Sequence, residues 1–589
     1  MQPIRLGLLA GFVLGSAIPP ALAAQRPTTP TRPGTVSQGD WPAAGRDLAL
    51  TRYSPLDQVN ARTIAQLRPV WTFSTGSLRA HEGGPLVVGA TMLVHTPYPN
   101  QVFALDLSRP GAPIKWRYAA PLPPAPGGTS RAGSSPPAMP TGCCDVGSRG
   151  LAYHESGKVL VPLLSGELVA LDAGTGREIW RVRNSDWHSG ATLAGAPLVA
   201  RDLVIVGVSG AENGVRGHLT AYDALTGRQV WRGWSTGPDS EVLLDGPANP
   251  SYTSHQGRDL GVSSWGGTGW QAGGGTTSGW LSYDPVLNLV FHGTDQPAPG
   301  NPALRPGDNK WTSSILARDA ATGKVRWALQ LTPHDQWGYG GANESILADL
   351  VVRGNPVKAL VHFDRNGFAY TIDRATGRLL LAEKYGPVNW AARVDQATAV
   401  PVIEPQYAAP TGAEPRTDIC PGSIGAKFLQ PAAFSPLTGL FYVPLNNLCM
   451  DLQLRPGASA PLVRMKAGPG RTRGRFIAWD AATATIAWEN REPLAVAAGA
   501  LATAGGLVFY GTMEGWLKAV DQRTGQELWK FKTPSGIVGN PIAFLGPDGR
   551  QYIAVLSGLG GWWGLGANGA FPDIGSVSQQ GGTLLVFGL

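Results

Sequence analysis

The apolar positions of this chain fall in short runs separated by glycine-rich turns, with no long amphipathic helix rich in Glu, Lys and Leu. Short runs closed by turn residues predict β-strands. One frame recurs among them. "ALDAGTGREIW" (170–180), "AYDALTGRQVW" (221–231), "ARDAATGKVRW" (317–327) and "AVDQRTGQELW" (519–529) share A-x-D-x-x-T-G-x-x-x-W. "AWDAATATIAW" (478–488) and "TIDRATGRLLL" (371–381) are worn copies, and "ALDLSRPGAPIKW" (104–116) carries an insertion. Each copy predicts strand, turn, strand. The Asp side chain caps N–H groups of the turn, Gly takes a positive φ, and Trp presents a flat face for packing.

A unit returning every 40–60 residues or so, with wider gaps where a copy is missing, predicts stacked modules rather than unrelated domains. Four-stranded sheets arranged radially hide their edges, which predicts a β-propeller. Seven copies, plus one blade shared between the termini, make an all-β, eight-bladed ring. Composition agrees: glycine supplies 79 of 589 residues and charged residues only 15%, a balance suited to strands and tight turns.

The N-terminus changes the picture of where the chain works. Arg5, the apolar "LGLLAGFVLGSAI" and the small residues "ALAA" at 21–24 follow the order of a secretory signal peptide. The expected organisation is a signal over 1–24, a flexible segment over 25–40 and one propeller over 41–589. No later apolar run reaches the ~20 residues of a membrane helix. The expected compartment is the periplasm, where disulfides are allowed. The net charge of +7 is spread out, with no basic stripe interleaved with aromatics, so nucleic-acid binding is excluded.

Four cysteines remain, and two are neighbours in "TGCCDVGSRG" (141–150). Adjacent Cα atoms sit about 3.8 Å apart, closer than the roughly 4.4–6.8 Å of an ordinary disulfide. Cys143 and Cys144 are therefore either two free thiols or a strained eight-membered ring.

Longer segments carry a resemblance. "HEGGPLVVGATMLVHTPYPNQVFALD" (81–106), the paired cysteines, "GAENGVRGHLTAYD" (210–223), "RPGDNKW" (305–311), "TPHDQW" (332–337), "FDRNG" (363–367), "DIC" ending at Cys420 and "NNLCMD" around Cys449 resemble the large subunit of methanol dehydrogenase. That family of quinoproteins uses pyrroloquinoline quinone, PQQ. The resemblance implies a vicinal disulfide Cys143–Cys144 lying against the quinone and an ordinary bridge Cys420–Cys449. It implies cofactor contacts at Glu82, Cys143, Cys144, Arg149, Ser209, Gly210, Ala211, Thr276, Arg365 and Trp562. Glu212 falls on a ligand of the family's divalent cation. Arg365 falls beside the reactive carbonyl, where positive charge steadies an oxyanion. No C-x-x-C-H occurs, so no haem c is expected, and electrons are expected to leave to a separate soluble cytochrome c. A homodimer or a small accessory subunit is a further expectation.

The departures are as informative. The family's catalytic aspartate falls at Gly338, the extra aspartate of lanthanide-using relatives at Gly340, and the asparagine ligand at Gln296. The tryptophan beneath the quinone falls at Ser278, and further contacts are changed at Ala194, Phe428 and Ala497. Smaller residues around one cavity imply an alcohol bulkier than methanol. A replacement base is expected at Asp295, with Asp335 as the weaker candidate and a turn cap as its plainer role. Fewer carboxylates imply calcium at Glu212, Gln296 and Asp295 and disfavour a lanthanide. The alternative is a degenerate homologue acting as a periplasmic binding or scaffold protein.

Overall fold

The computed structural model describes residues 1, 37–78, 80–121, 139–142, 145–244, 257, 259–410, 412, 414–455, 457–565 and 573–589. The signal-like residues, all but the last few of segment 25–40, and the Cys143–Cys144 pair lie outside them. Eight sheets form the blades of a β-propeller. Leu86–Val88, Thr91–His95, Gln101–Asp106 and Ile114–Ala119 make the first, in that order across the sheet. Four more blades follow the same antiparallel plan over 152–183, 198–234, 282–330 and 345–384. The sixth spans 433–492 and the seventh 501–532, the latter with Tyr53–Ser54 added in parallel to Leu501–Thr503. In the eighth, Arg68–Ser74 from the N-terminal side pairs antiparallel with Thr583–Gly588 from the C-terminal end. The blade shared between the termini is therefore observed.

The repeat is a device for joining blades. In the four full copies the Asp Oδ1 accepts from the Thr amide and hydroxyl at 2.7–3.0 Å. The following glycines, Gly176, Gly227, Gly323 and Gly525, have φ of 72–75°. Trp529 packs its ring on Phe587 of the eighth blade, and the other five repeat Trp residues reach the next blade by hydrogen bond: Trp116, Trp180, Trp231, Trp327 and Trp488 donate Nε1–H to the carbonyls of Ala173, Ala224, Ala320, Arg374 and Gln522. Those carbonyls belong to the residue after the turn Asp. The rings lie so close to Gly176, Gly227, Gly323 and Gly525 that a Cβ there would fall 2.5–2.9 Å from a ring atom. Glycine thus serves the turn and the seam together. Where the fifth blade has Leu381 for Trp, Thr371 Oγ1 donates to Ala481 O at 3.0 Å instead.

The sixth blade is interrupted. Arg416–Ile419, Leu448–Gln453 and Leu462–Ala467 form a small separate sheet. Cys420 and Cys449 are disulfide-bonded across its base, with Cα atoms 4.4 Å apart. This excursion fixes the segment 421–432 that walls the cavity described next.

Candidate active site

In each blade the turn between the first two strands and the Thr-Gly turn share one face of the ring. The segments entering the blades and those joining second to third strands share the other. A cavity of about 230 Å³ lies among this second set. Glu82 leads into the first blade; Asp145, Gly147 and Arg149 into the second; Ser209, Gly210 and Glu212 lie within the third. Thr276, Ser278, Asp295 and Gln296 come from the fourth, Gly338 and Arg365 from the fifth, Phe428 from ahead of the sixth and Trp562 from the eighth. Residues hundreds of positions apart converge because a ring brings every blade to one axis.

One end of the cavity is built on a carboxylate and a guanidinium. Arg149 Nη2 lies 3.3 Å from Glu82 Oε2, and Arg149 Nη1 donates to the Ser278 carbonyl at 3.4 Å. Burial pushes the Glu82 carboxyl up, Arg149 opposes that, and Asp145 adds to it. Asp145 Oδ2 accepts the Gly561 amide at 2.7 Å, tying the start of the segment that enters the second blade to the one that carries Trp562. Ser209 Oγ is buried at this cavity without a hydrogen-bond partner.

The other end is built on Asp295. Its Oδ1 accepts from Arg365 Nη1 at 2.9 Å, and its Oδ2 from Ser278 Oγ at 3.0 Å and Thr276 Oγ1 at 3.4 Å. Arg365 Nη1 also donates to Gln296 Oε1 at 3.2 Å, Nη2 to the Ser423 carbonyl at 2.8 Å, and its Cζ lies 5.1 Å from the Phe428 ring centre. Such a held arginine presents fixed positive charge to the cavity. Glu212 stands close enough to Asp295 that loss of solvent and this like charge both raise its pKa.

Most sequence-expected residues thus share one wall, with particular exceptions. Ala211 is buried and opens the turn Ala211–Asn213 rather than lining the cavity. Asp335 is corrected as a base: Oδ1 accepts the Trp337 and Gly338 amides at 3.0 and 2.9 Å, Oδ2 accepts from Ser313, and the side chain caps its own turn away from the cavity. Ala497 is packed in the core, not at the cavity wall. Asp145, Ser423, Ile424 and Leu429 line the cavity without having been singled out in the sequence. Asp145 directly follows the cysteine pair and was legible by that position; of the 423–429 wall Phe428 alone was named from the sequence, and the rest depends on the sixth blade's excursion.

The departures acquire shapes. At Gly338, φ is 81° and a Cβ would meet only Ser423 Cβ, at 3.7 Å, so open space remains there beside Ile424 and Phe428. At Gly340 the opposite holds: a Cβ would fall 2.5 Å from Asp295 Oδ1 and from the Gln296 amide nitrogen. Asp295 therefore occupies the room a side chain at 340 would need.

The family model for the PQQ-type glucose/ethanol/alcohol dehydrogenase β-propeller domain matches residues 41–399 and 481–553. A lanthanide-dependent methanol dehydrogenase of Methylacidiphilum fumariolicum is 48% identical over 94% of this chain and 92% of its own. Subunit 1 of the methanol dehydrogenase [cytochrome c] of Paracoccus denitrificans is 42% identical over 93% of this chain and 90% of its own. A solved europium-containing methanol dehydrogenase superposes with a TM-score of 0.88 at 47% identity, over 94% of this chain and 98% of its own.

These relatives overturn the expectation that a lanthanide is disfavoured. A second lanthanide-dependent methanol dehydrogenase, of Methylorubrum extorquens, is 46% identical over 92% of this chain. Asp295 already stood among the expected ligands, but the losses at 338 and 340 were given more weight than the place its carboxylate takes. The fold delivers the Asp295 carboxylate to the space beside 340 from a different blade.

Proposed function

The chain belongs to the family of PQQ-dependent quinoprotein dehydrogenases, close to the methanol dehydrogenase large subunit, and we propose that its cavity oxidises alcohols bulkier than methanol. The observation that carries this is the open space at Gly338, walled by Ile424 and Phe428 and adjoining the Asp295–Arg365 pair. An alcohol's carbon chain fits that space while its hydroxyl meets the pair.

The residues fit the quinone. Ser209 Oγ offers an unused hydroxyl, and Arg149 and Arg365 bring positive charge suited to carboxylate and carbonyl oxygens. A quinone held by these residues would supply the hydride acceptor for the alcohol carbon. Asp295 takes the hydroxyl proton, the step worth about 10²–10⁴-fold in rate for a positioned base. Arg365 holds that carboxylate from one side and Ser278 and Thr276 from the other, so it needs no reorientation before it acts. Glu212, Asp295 and Gln296 supply oxygen donors for a hard cation, for which the relatives favour a lanthanide. Glu82, Gly210, Thr276 and Trp562 complete the cofactor wall. The electrons pass to a cytochrome c-type acceptor, as the printed names of several relatives state for those proteins.

We place the enzyme in the periplasm, on the signal-like residues 1–24 and the Cys420–Cys449 bond, which suits an oxidising compartment. No helix among the described residues is long and apolar enough to cross a membrane. The test is reconstitution with PQQ and a lanthanide, then a dye-linked assay from methanol to branched and aromatic alcohols. Higher kcat/KM for the larger alcohols is expected. A preference for methanol would overturn the enlarged pocket; failure to bind PQQ at micromolar concentration would overturn the enzyme and leave a binding protein.

A further inference from the structure

Three positions that depart from the methanol dehydrogenase pattern, Ser278, Asp295 and Gly340, meet at one point. We propose that they are a single unit: Gly340 vacates the space, Asp295 fills it, and Ser278 acts as the positioning residue that aims the Asp295 carboxylate. This deepens the reading above, on which the role of Asp295 as base rests.

Backbone pairing brings them together. The Asp295 amide donates to the Thr276 carbonyl at 2.8 Å and the Gly275 amide to the Gln296 carbonyl at 3.0 Å, so segments 275–278 and 295–296 run side by side. Side chains 276, 278 and 295 therefore point into one corner. Ser278 Oγ then donates to Asp295 Oδ2 at 3.0 Å. A tryptophan at 278 has its only donor at the far edge of an indole and fills the corner with ring. A serine brings a short hydroxyl to the carboxylate and leaves the volume free.

The third member comes from the next blade. Asp295 Oδ1 lies 2.5 Å from where a Cβ on Gly340 would be, and Gln296 N is equally near. Any side chain at 340 displaces the carboxylate or the backbone that carries it. With Gly340 absent as an obstacle, Oδ1 turns to Arg365 Nη1 at 2.9 Å while Oδ2 keeps Ser278. The two oxygens are thus held from opposite sides. Removing the donor on one side leaves Oδ2 with the Thr276 hydroxyl at 3.4 Å, a contact beyond the usual O–H···O distance.

The unit also explains why Ser278 does not read as simple erosion of a stacking floor. Loss of an indole alone asks for nothing at 295 or 340. A carboxylate, a donor to it and a glycine that makes room for it, contributed by two blades, are what a repositioned acid requires.

The test is a double-mutant cycle on the PQQ-reconstituted protein, read as kcat in the dye-linked assay and as PQQ affinity by absorbance. Ser278→Ala is expected to lower kcat about tenfold with little change in KM or PQQ affinity, since a small misplacement of a reacting group suffices for that. Ser278→Thr, which keeps the hydroxyl, is expected to restore most of it. In an Asp295→Ala background, Ser278→Ala is expected to have no further effect. Equal losses in both backgrounds, or no rescue by threonine, would overturn the proposal. Crystal structures of wild type and Ser278→Ala test it without turnover: the Asp295 carboxylate is expected to rotate off its wild-type position in the variant. An unmoved carboxylate would overturn the positioning role even if the enzyme reading stands, and a moved carboxylate in an inactive protein would fault only that reading.

Discussion

The two faces of the propeller are built on opposite principles. On one, the same turn recurs around the ring, and five of its Trp residues bind the neighbouring blade's backbone through a contact of three or four residues. On the other, the cavity draws residues from most of the blades, and no two blades contribute the same set. The periodic face tolerates local loss, as Thr371 shows by taking the place of a missing Trp donor at the fifth blade. At the cavity Ser278, Asp295 and Gly340 meet at one point, so a change at one bears on the other two. A seam is a local contact, whereas a site is a coincidence of distant ones.

The largest effect expected from this contrast is at the cavity. Asp295→Asn is expected to lower kcat by about 10²–10⁴-fold while thermal unfolding moves little; retained turnover would place the base elsewhere. Next comes the seam. Trp231 is 7% exposed and bridges to the fourth blade, so Trp231→Ala is expected to cost about 3–5 kcal/mol in denaturant unfolding. Trp529→Ala is expected to cost less, because that ring is only half-buried and its seam contact is ring packing on Phe587 of the eighth blade, beside Phe531 of its own. Equal costs would mean that the repeat position, not the seam contact, sets stability.

Gly340→Ala comes third. Its Cβ would meet Asp295 Oδ1 and the Gln296 backbone, an overpacking worth about 1–3 kcal/mol, read as reduced stability together with reduced kcat. Alanine at Gly412, where an added Cβ meets nothing, is the matched control.

The smallest effect concerns pH. His95, His218 and His292 are buried and their pKa values are pushed down, to about 4 for His95 and about 3 for the other two, by burial first. In the unfolded chain a histidine takes up its proton near pH 6.5. The unfolded state therefore binds more protons below that value, and stability present at pH 7 declines as pH falls from about 6.5 toward 4. Denaturant midpoints at pH 7.5 and 5 check the sign. A His292→Gln variant, which cannot take up that proton, is expected to flatten the decline.

Much of this was legible along the chain. The Asp, Thr, Gly and Trp of each repeat made the strands, their turns and the eightfold closure readable, and the family resemblance carried Glu82, Arg149, Glu212 and Arg365 to what proved one cavity. For Asp335 the turn cap was the plainer reading and the base the weaker one, and its hydrogen bonds to two following amides agree with the cap. The metal expectation failed for a related reason. Position by position, Gly338 and Gly340 are losses, and although Asp295 was expected at the metal position, nothing in the spacing says that its carboxylate takes up the room beside 340, some 45 residues later.

Local chemistry, then, is what the sequence by itself determined: turn residues with fixed backbone preferences, Trp at a constant offset, and the fold class that follows from stacking such units. Tertiary structure alone decided which carboxylates share a cavity, which of them is held by arginine and serine, and how much space a glycine leaves empty or full. The physical reason lies in range. A turn is settled by a few consecutive residues, but the space at Gly338 or Gly340 is settled by atoms that the closed ring brings in from other blades.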